Sequence, residues 1–239
     1  MIIIPARIGS SRFPNKVLAD IGGTPMVIRT AIAVQDIDDV AIATDSEEVM
    51  KIAQSYNIKA VMTSESHQSG TDRIYEAAQK LGLDEDEVII NVQGDEPFIE
   101  TEVIEAIYKL TQSNKNNPNI MINSCYKIIT NPEADDPNIV KVVTDEKDIA
   151  LYFSRAKVPY PRDHHFDKYK GHLGIYGFTM KSLALFCSSE PAPLEEIEKL
   201  EQLRALYHGY NIAMVEVNTE SFGIDTPEDL EKALKYHRL

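Results

Sequence analysis

Met1-Ile2-Ile3-Ile4-Pro5-Ala6-Arg7-Ile8-Gly9-Ser10-Ser11-Arg12-Phe13-Pro14-Asn15-Lys16 is the stretch whose reading decides the fold. Ile2 to Pro5 is an unbroken apolar, β-branched run, the pattern of a strand buried on both faces of a sheet. A loop with three cations, one glycine and two serines follows it directly. In open parallel sheets, ligands bind beyond the carboxyl ends of the strands. The loop therefore stands where a ligand is expected.

Working outward, strand-like runs at 40–44, 59–62 and 87–92 alternate with helical spacing at 24–35, 46–56, 70–81 and 101–110. This order predicts an α/β fold with a mainly parallel, doubly wound (Rossmann-like) sheet. After the polar loop 111–119, strand-like segments at 120–129, 139–143, 149–153 and 172–179 are joined by Pro-rich links. We read 127–186 as a β-rich insertion within one domain spanning 1–239. A helix over 194–207, a strand over 212–217 and a helix over 227–236 then close it.

The net charge of -14 argues against a nucleic-acid surface, which needs a dense basic footprint. It leaves room for a small anionic ligand wherever the few cations are concentrated. No apolar run is long enough to span a bilayer, and no signal-peptide pattern follows Met1. The expectation is a cytoplasmic protein without membrane partners. Cys125 and Cys187 match no metal or redox spacing and read as buried apolar side chains.

Arg7, Arg12 and Lys16, with backbone N–H groups of the loop, are the chemistry a triphosphate requires. The spacing is neither a Walker A loop nor a dinucleotide fingerprint. Asp95, in Asn91-Val92-Gln93-Gly94-Asp95-Glu96-Pro97, follows an apolar run and can face the same crevice as a magnesium ligand, or simply make a turn. In Asp225-Thr226-Pro227-Glu228-Asp229, Thr226 is the N-cap and Pro227 the first helical residue, so capping does not require Asp225. Asp45, three residues before Glu48, is expected instead to cap its helix in a capping box. The segment His67-Gln68-Ser69-Gly70-Thr71-Asp72-Arg73 reads equally as a helix start or as a base-reading edge. Glu201 falls on the apolar side of the helix expected over 194–207, where it either holds sugar hydroxyls with Gln202 or pairs with an arginine. Arg155 and Arg162 suit a carboxylate, whereas His172 reads first as a strand histidine.

Taken together, the segments resemble the CMP-KDO synthetases, or 3-deoxy-manno-octulosonate cytidylyltransferases, over nearly the whole chain. The resemblance rests on Ile4-Pro5-Ala6-Arg7, Ser11-Arg12, Pro14-Asn15-Lys16, Ala43-Thr44-Asp45 and the segments around Gln68 and Asp95. It continues through Leu151-Tyr152-Phe153-Ser154-Arg155-Ala156, His172-Leu173-Gly174-Ile175-Tyr176-Gly177, Leu200-Glu201-Gln202-Leu203-Arg204 and the Asp225 segment. It implies transfer of CMP from CTP to the anomeric hydroxyl of the sugar acid KDO, with magnesium, in a homodimer that serves lipopolysaccharide assembly. It further implies that Arg7, Arg12 and Lys16 contact the triphosphate, with Pro5, Ala6 and Arg73 also at the nucleotide. Gln68, Ser69 and Gly70 would contact cytidine, and Asp95 and Asp225 would hold magnesium. Lys16, Arg12, Asp95 and Asp225 are thus the expected catalytic set. Gln93, Arg155, Arg162, His172, Tyr176, Glu201 and Gln202 would form the sugar-acid pocket. Asn15 stands where the family has glycine, and asparagine tolerates the left-handed backbone that position implies. The rivals are the same reaction on an 8-amino KDO analogue or another acid sugar, and a non-catalytic nucleotide-binding protein.

Overall fold

The computed structural model describes residues 1–9, 13–163 and 166–238. Four parallel strands form one half of the sheet: β1 (Ile2–Ala6), β2 (Val40–Thr44), β3 (Lys59–Met62) and β4 (Val88–Asn91), in the order β3-β2-β1-β4. Ile2, Ile3 and Ile4 are fully buried, because alternate residues of a central strand face opposite helical layers. Ile3 packs in one apolar cluster with Ile74, Ala77 and Ile89, while Ile2 and Ile4 pack in the other with Val27, Ile28 and Ile104.

The helices begin and end where the local chemistry dictates. The α1 helix (Met26–Val34) follows Pro25. Ser46 caps α2 (Glu47–Ser55) by accepting from Val49 N–H, and Ser69 caps α3 (Gly70–Leu81) by accepting from Asp72 N–H. Gly82, at φ 72°, ends α3 in the left-handed conformation that glycine adopts without strain. The capping box expected of Asp45 does not form. Ser46, one residue on, has the extended backbone a cap needs, and the Asp45 carboxylate instead accepts from the buried Arg73 guanidinium at 2.7 Å.

The other half of the sheet follows α4 (Thr101–Asn114). It comprises β5 (Ile120–Ile129), the short α5 (Asn131–Ala134), the hairpin β6 (Lys141–Thr144) and β7 (Ala150–Ser154), and β8 (Tyr169–Thr179). The β-rich stretch is woven into the main sheet: β8 lies between β4 and β5, antiparallel to both, and β6–β7 hangs from its edge. The buried Lys141 ammonium stitches this region together by donating to the carbonyls of Asp136, Ile139 and Arg155.

After α6 (Met180–Ser188), the single helix expected over 194–207 is two: α7 (Pro193–Glu198) and α8 (Leu203–Tyr207). Lys199 breaks them with φ 54°. The apolar spacing there misleads, since Leu194 is 36% and Ile197 77% exposed. Strand β9 (Asn211–Glu216) and helix α9 (Pro227–His237) complete the chain. No described helix is long and apolar enough to cross a membrane.

Candidate active site

Two clefts meet at the carboxyl end of β1 and β4. The first, about 400 Å³, is bordered by Pro5, Arg7, Lys16, the 67–70 segment, Gln93 and Asp95. The second, about 640 Å³, is bordered by His172, Tyr176, Glu201, Gln202 and the 220–223 segment. Asp95 and Asp225 border both. This shared rim is the central feature of the site.

The sequence brings these groups together by close backbone approach. Gly94 lies so near the end of β1 that an added Cβ would stand 3.0 Å from the Pro5 carbonyl oxygen. Any side chain there would push the Asp95 loop away from the end of β1. Asn15 adopts φ 56° and turns the chain into the short 3-10 helix Lys16–Leu18, as its tolerance of left-handed geometry predicts. Buried Val17 anchors that turn. Asp225 arrives from the far end of the chain: Ile224 is fully buried with Ile21 and Met26, and its N–H donates to the Asp95 carbonyl at 2.9 Å. Thr226 and Asp229 form the capping box of α9, so the Asp225 side chain is spared that task.

The Lys16 ammonium donates to Asp95 Oδ2 at 2.5 Å and to Asp225 Oδ1 at 2.9 Å. Burial opposes its charge, but attraction to Asp95 and then Asp225 outweighs burial and raises its pKa above 10.5. Two carboxylates thus converge on one cation. Among the described residues no group of three or more His, Cys, Asp or Glu side chains is arranged around a metal position. Two carboxylates beside a cleft bordered by Arg7 and Lys16 nevertheless fit magnesium, which completes its shell with water and phosphate oxygens.

Arg73 borders the first cleft, but its guanidinium is committed to Asp45 and to Thr63 Oγ1, the latter at 2.7 Å. It braces the cleft from behind. Gln93 lies on this first cleft rather than on the second and donates to the Gly174 carbonyl at 3.3 Å. Ala6 is buried and borders neither. Arg12 lies outside the described residues.

In the second cleft, His172 Nε2 lies 3.0 Å from Ser124 Oγ, and burial drives its pKa down to about 3. A histidine with a depressed pKa favours the fold when neutral. That contribution is fully present above its unfolded pKa near 6.5 and is lost as pH falls toward 3. We expect the His172 ring protons, followed by NMR, to hold constant shifts from about pH 8 to about pH 5; a midpoint inside that range would contradict the burial of a neutral ring.

Glu201 is half-buried; desolvation raises its pKa, and Thr71 Oγ1 donates to it at 2.7 Å. Tyr176 Oη donates to Gln202 Oε1 at 3.2 Å, while the buried Gln202 Nε2 has no acceptor among the described residues. An unpaired buried donor is costly, and Gln202 as a residue borders the second cleft.

Besides Ala6, two expected residues among those described border neither cleft. The Arg155 side chain donates to the carbonyls of Glu198, Pro137 and Lys199 and braces the α7–α8 break. Arg162 is 86% exposed beside Asp163. Their sequence pattern announced arginines suited to a carboxylate, but irregular backbone claimed the first and solvent surrounds the second. Sequence reasoning missed Ser124 and Thr71, the partners of His172 and Glu201. Thr71 sat inside a quoted motif, and nothing distinguished Ser124 from any strand serine.

The family model described as cytidylyltransferase matches residues 1–217. The chain is 59% identical over 232 residues to a 3-deoxy-manno-octulosonate cytidylyltransferase of a Nitratiruptor species, covering 97% of each chain. It is 51% identical over 239 residues to one from Wolinella succinogenes, covering 98% of each. The structure superposes with a TM-score of 0.90 on a CMP:2-keto-3-deoxy-manno-octonic acid synthetase complexed with CTP. That pair shares 39% identity, over 100% of this chain and 98% of the other.

Proposed function

The chain belongs to the 3-deoxy-manno-octulosonate cytidylyltransferases, and on that premise we propose that it transfers CMP from CTP to the anomeric hydroxyl of KDO, releasing pyrophosphate. The observation that carries the reading is the shared rim: Asp95 and Asp225 border both a basic cleft and a polar, partly buried one. A phosphoryl group held at that rim is reachable from either side.

CTP occupies the first cleft, with its phosphates toward Arg7 and Lys16 and its base toward Gln68, Ser69 and Gly70. Arg12 joins the phosphate contacts on sequence grounds. KDO occupies the second cleft. Glu201, held by Thr71, accepts from sugar hydroxyls, with Gln202 beside it on the wall. Neutral His172 and Tyr176 shape the wall. In-line attack joins the anomeric oxygen to the α-phosphorus as the bond to pyrophosphate breaks and the hydroxyl proton is released to solvent. Most of the acceleration comes from holding the two reactants in line and offsetting charge on the phosphate oxygens. Asp95 and Asp225 would hold magnesium, which supplies charge neutralisation at the α-phosphate. Lys16 and Arg7 offset the charge of the departing pyrophosphate.

The β-rich stretch 127–186 supplies the sugar wall, and its exposed Leu151 and Tyr160 support a homodimer formed through this face. The enzyme works in the cytoplasm, and its product serves lipopolysaccharide assembly.

A panel of nucleoside triphosphates and acid sugars, assayed for pyrophosphate release with magnesium, tests the reading. CTP with KDO is expected to be the best pair. CTP binding without pyrophosphate release from any sugar would favour a non-catalytic binder, and preference for an 8-amino analogue would correct the acceptor.

A further inference from the structure

Glu76 sits on α3, one turn beyond Asp72, and does not border either cleft. Its carboxylate nevertheless gathers three donors. It accepts from Ser64 N–H at 2.9 Å, pairs with His67 Nε2, and meets the Lys80 ammonium at 2.7 Å. Burial alone would raise its pKa, but Lys80, Ser64 and His67 together hold it down at about 2. Two of the three donors belong to the 64–68 segment, which runs from β3 to the start of α3.

A chain of local bonds extends this grip to the cleft. Ser64 Oγ lies 2.8 Å from Ser66 Oγ and accepts from Ser66 N–H at 3.2 Å. The Ser66 carbonyl in turn accepts from Gln68 Nε2 at 2.9 Å. His67 and Gln68 both border the nucleotide-facing cleft. Behind them, the start of α3 is pressed on the end of β1, because a Cβ on Gly70 would stand 3.2 Å from Pro5 Cγ. The segment is fixed at its α3 end by that contact and along its length by Glu76.

We propose that Glu76 is a positioning residue for the nucleotide: it fixes the 64–68 segment so that His67 and Gln68 stand ready against CTP. This rests on the assignment of the first cleft to CTP. Without Glu76, the segment loses its anchor while Lys16, Asp95 and Asp225 keep theirs. The loss should therefore fall on nucleotide binding and leave the chemical step alone.

Glu76→Gln keeps the size of the side chain and removes its charge. Calorimetric titration with CTP should show affinity about tenfold weaker, the scale of one hydrogen bond to a charged group. KM for CTP should rise by the same factor with kcat within about twofold. Lys80→Ala removes a partner of Glu76 that is not part of the segment, and should leave CTP affinity within about twofold. If E76Q does not fold, Glu76→Asp keeps the charge, shortens the reach, and should weaken CTP binding about threefold. Wild-type CTP affinity in the folded variant, or a fall in kcat at unchanged affinity, would overturn the inference while leaving the proposed function intact. Failure of the wild-type protein to bind CTP would overturn both.

Discussion

Asp225→Asn is expected to lower kcat about a hundred- to a thousandfold, the usual scale for removing one electrostatic contact to a developing charge. The substitution keeps the shape of the side chain and removes its full negative charge. Its effect on stability should be small, with Tm moving by about 2 °C or less. The reason lies in the local structure: Thr226 and Asp229 cap α9, and Ile224 anchors the segment through its N–H bond to the Asp95 carbonyl. Stopped pyrophosphate-release assays and a melting curve on one preparation measure both quantities. Near-normal turnover would remove Asp225 from the reacting centre, and a collapse in Tm would recast it as structural.

Lys16→Met should cost kcat a similar factor of about a hundred to a thousand. In the wild-type protein the ammonium is shared by Asp95 and Asp225, and its pKa lies above 10.5. Being raised, it contributes stability that is fully present below 10.5 and lost only as pH rises past the folded value. Between about pH 6 and 9 Lys16 therefore stays charged and sets no limb of the rate profile. Without it, the departing pyrophosphate loses one of its cations, and the loss of rate should be uniform across that range. A variant with wild-type kcat would break the assignment.

The parallel half of the sheet was legible because isoleucine and valine runs alternate with capped helices, and Thr226 caps as its spacing predicts. Convergence of the basic loop with Asp95 and Asp225 was legible in kind, since a parallel sheet directs the loops after β1 and β4 to one edge. Three things were not. The place of β8 between β4 and β5 depends on long-range pairing, which local spacing does not encode. The break at Lys199 was hidden because Leu194 and Ile197 mimic a buried helical face while standing in solvent. Asp45 was misread because its partner, Arg73, is distant in sequence, and the bonds of Arg155 to the carbonyls of Pro137, Glu198 and Lys199 were hidden for the same reason.

If the clefts meet at Asp95 and Asp225 so that the α-phosphate of CTP passes to KDO, phosphorus NMR of the protein with CTP, KDO and magnesium shows the transfer most directly. The expected result is replacement of the three CTP resonances by one phosphodiester signal and pyrophosphate in equal molar yield. Unchanged CTP, or CDP with orthophosphate, would contradict it.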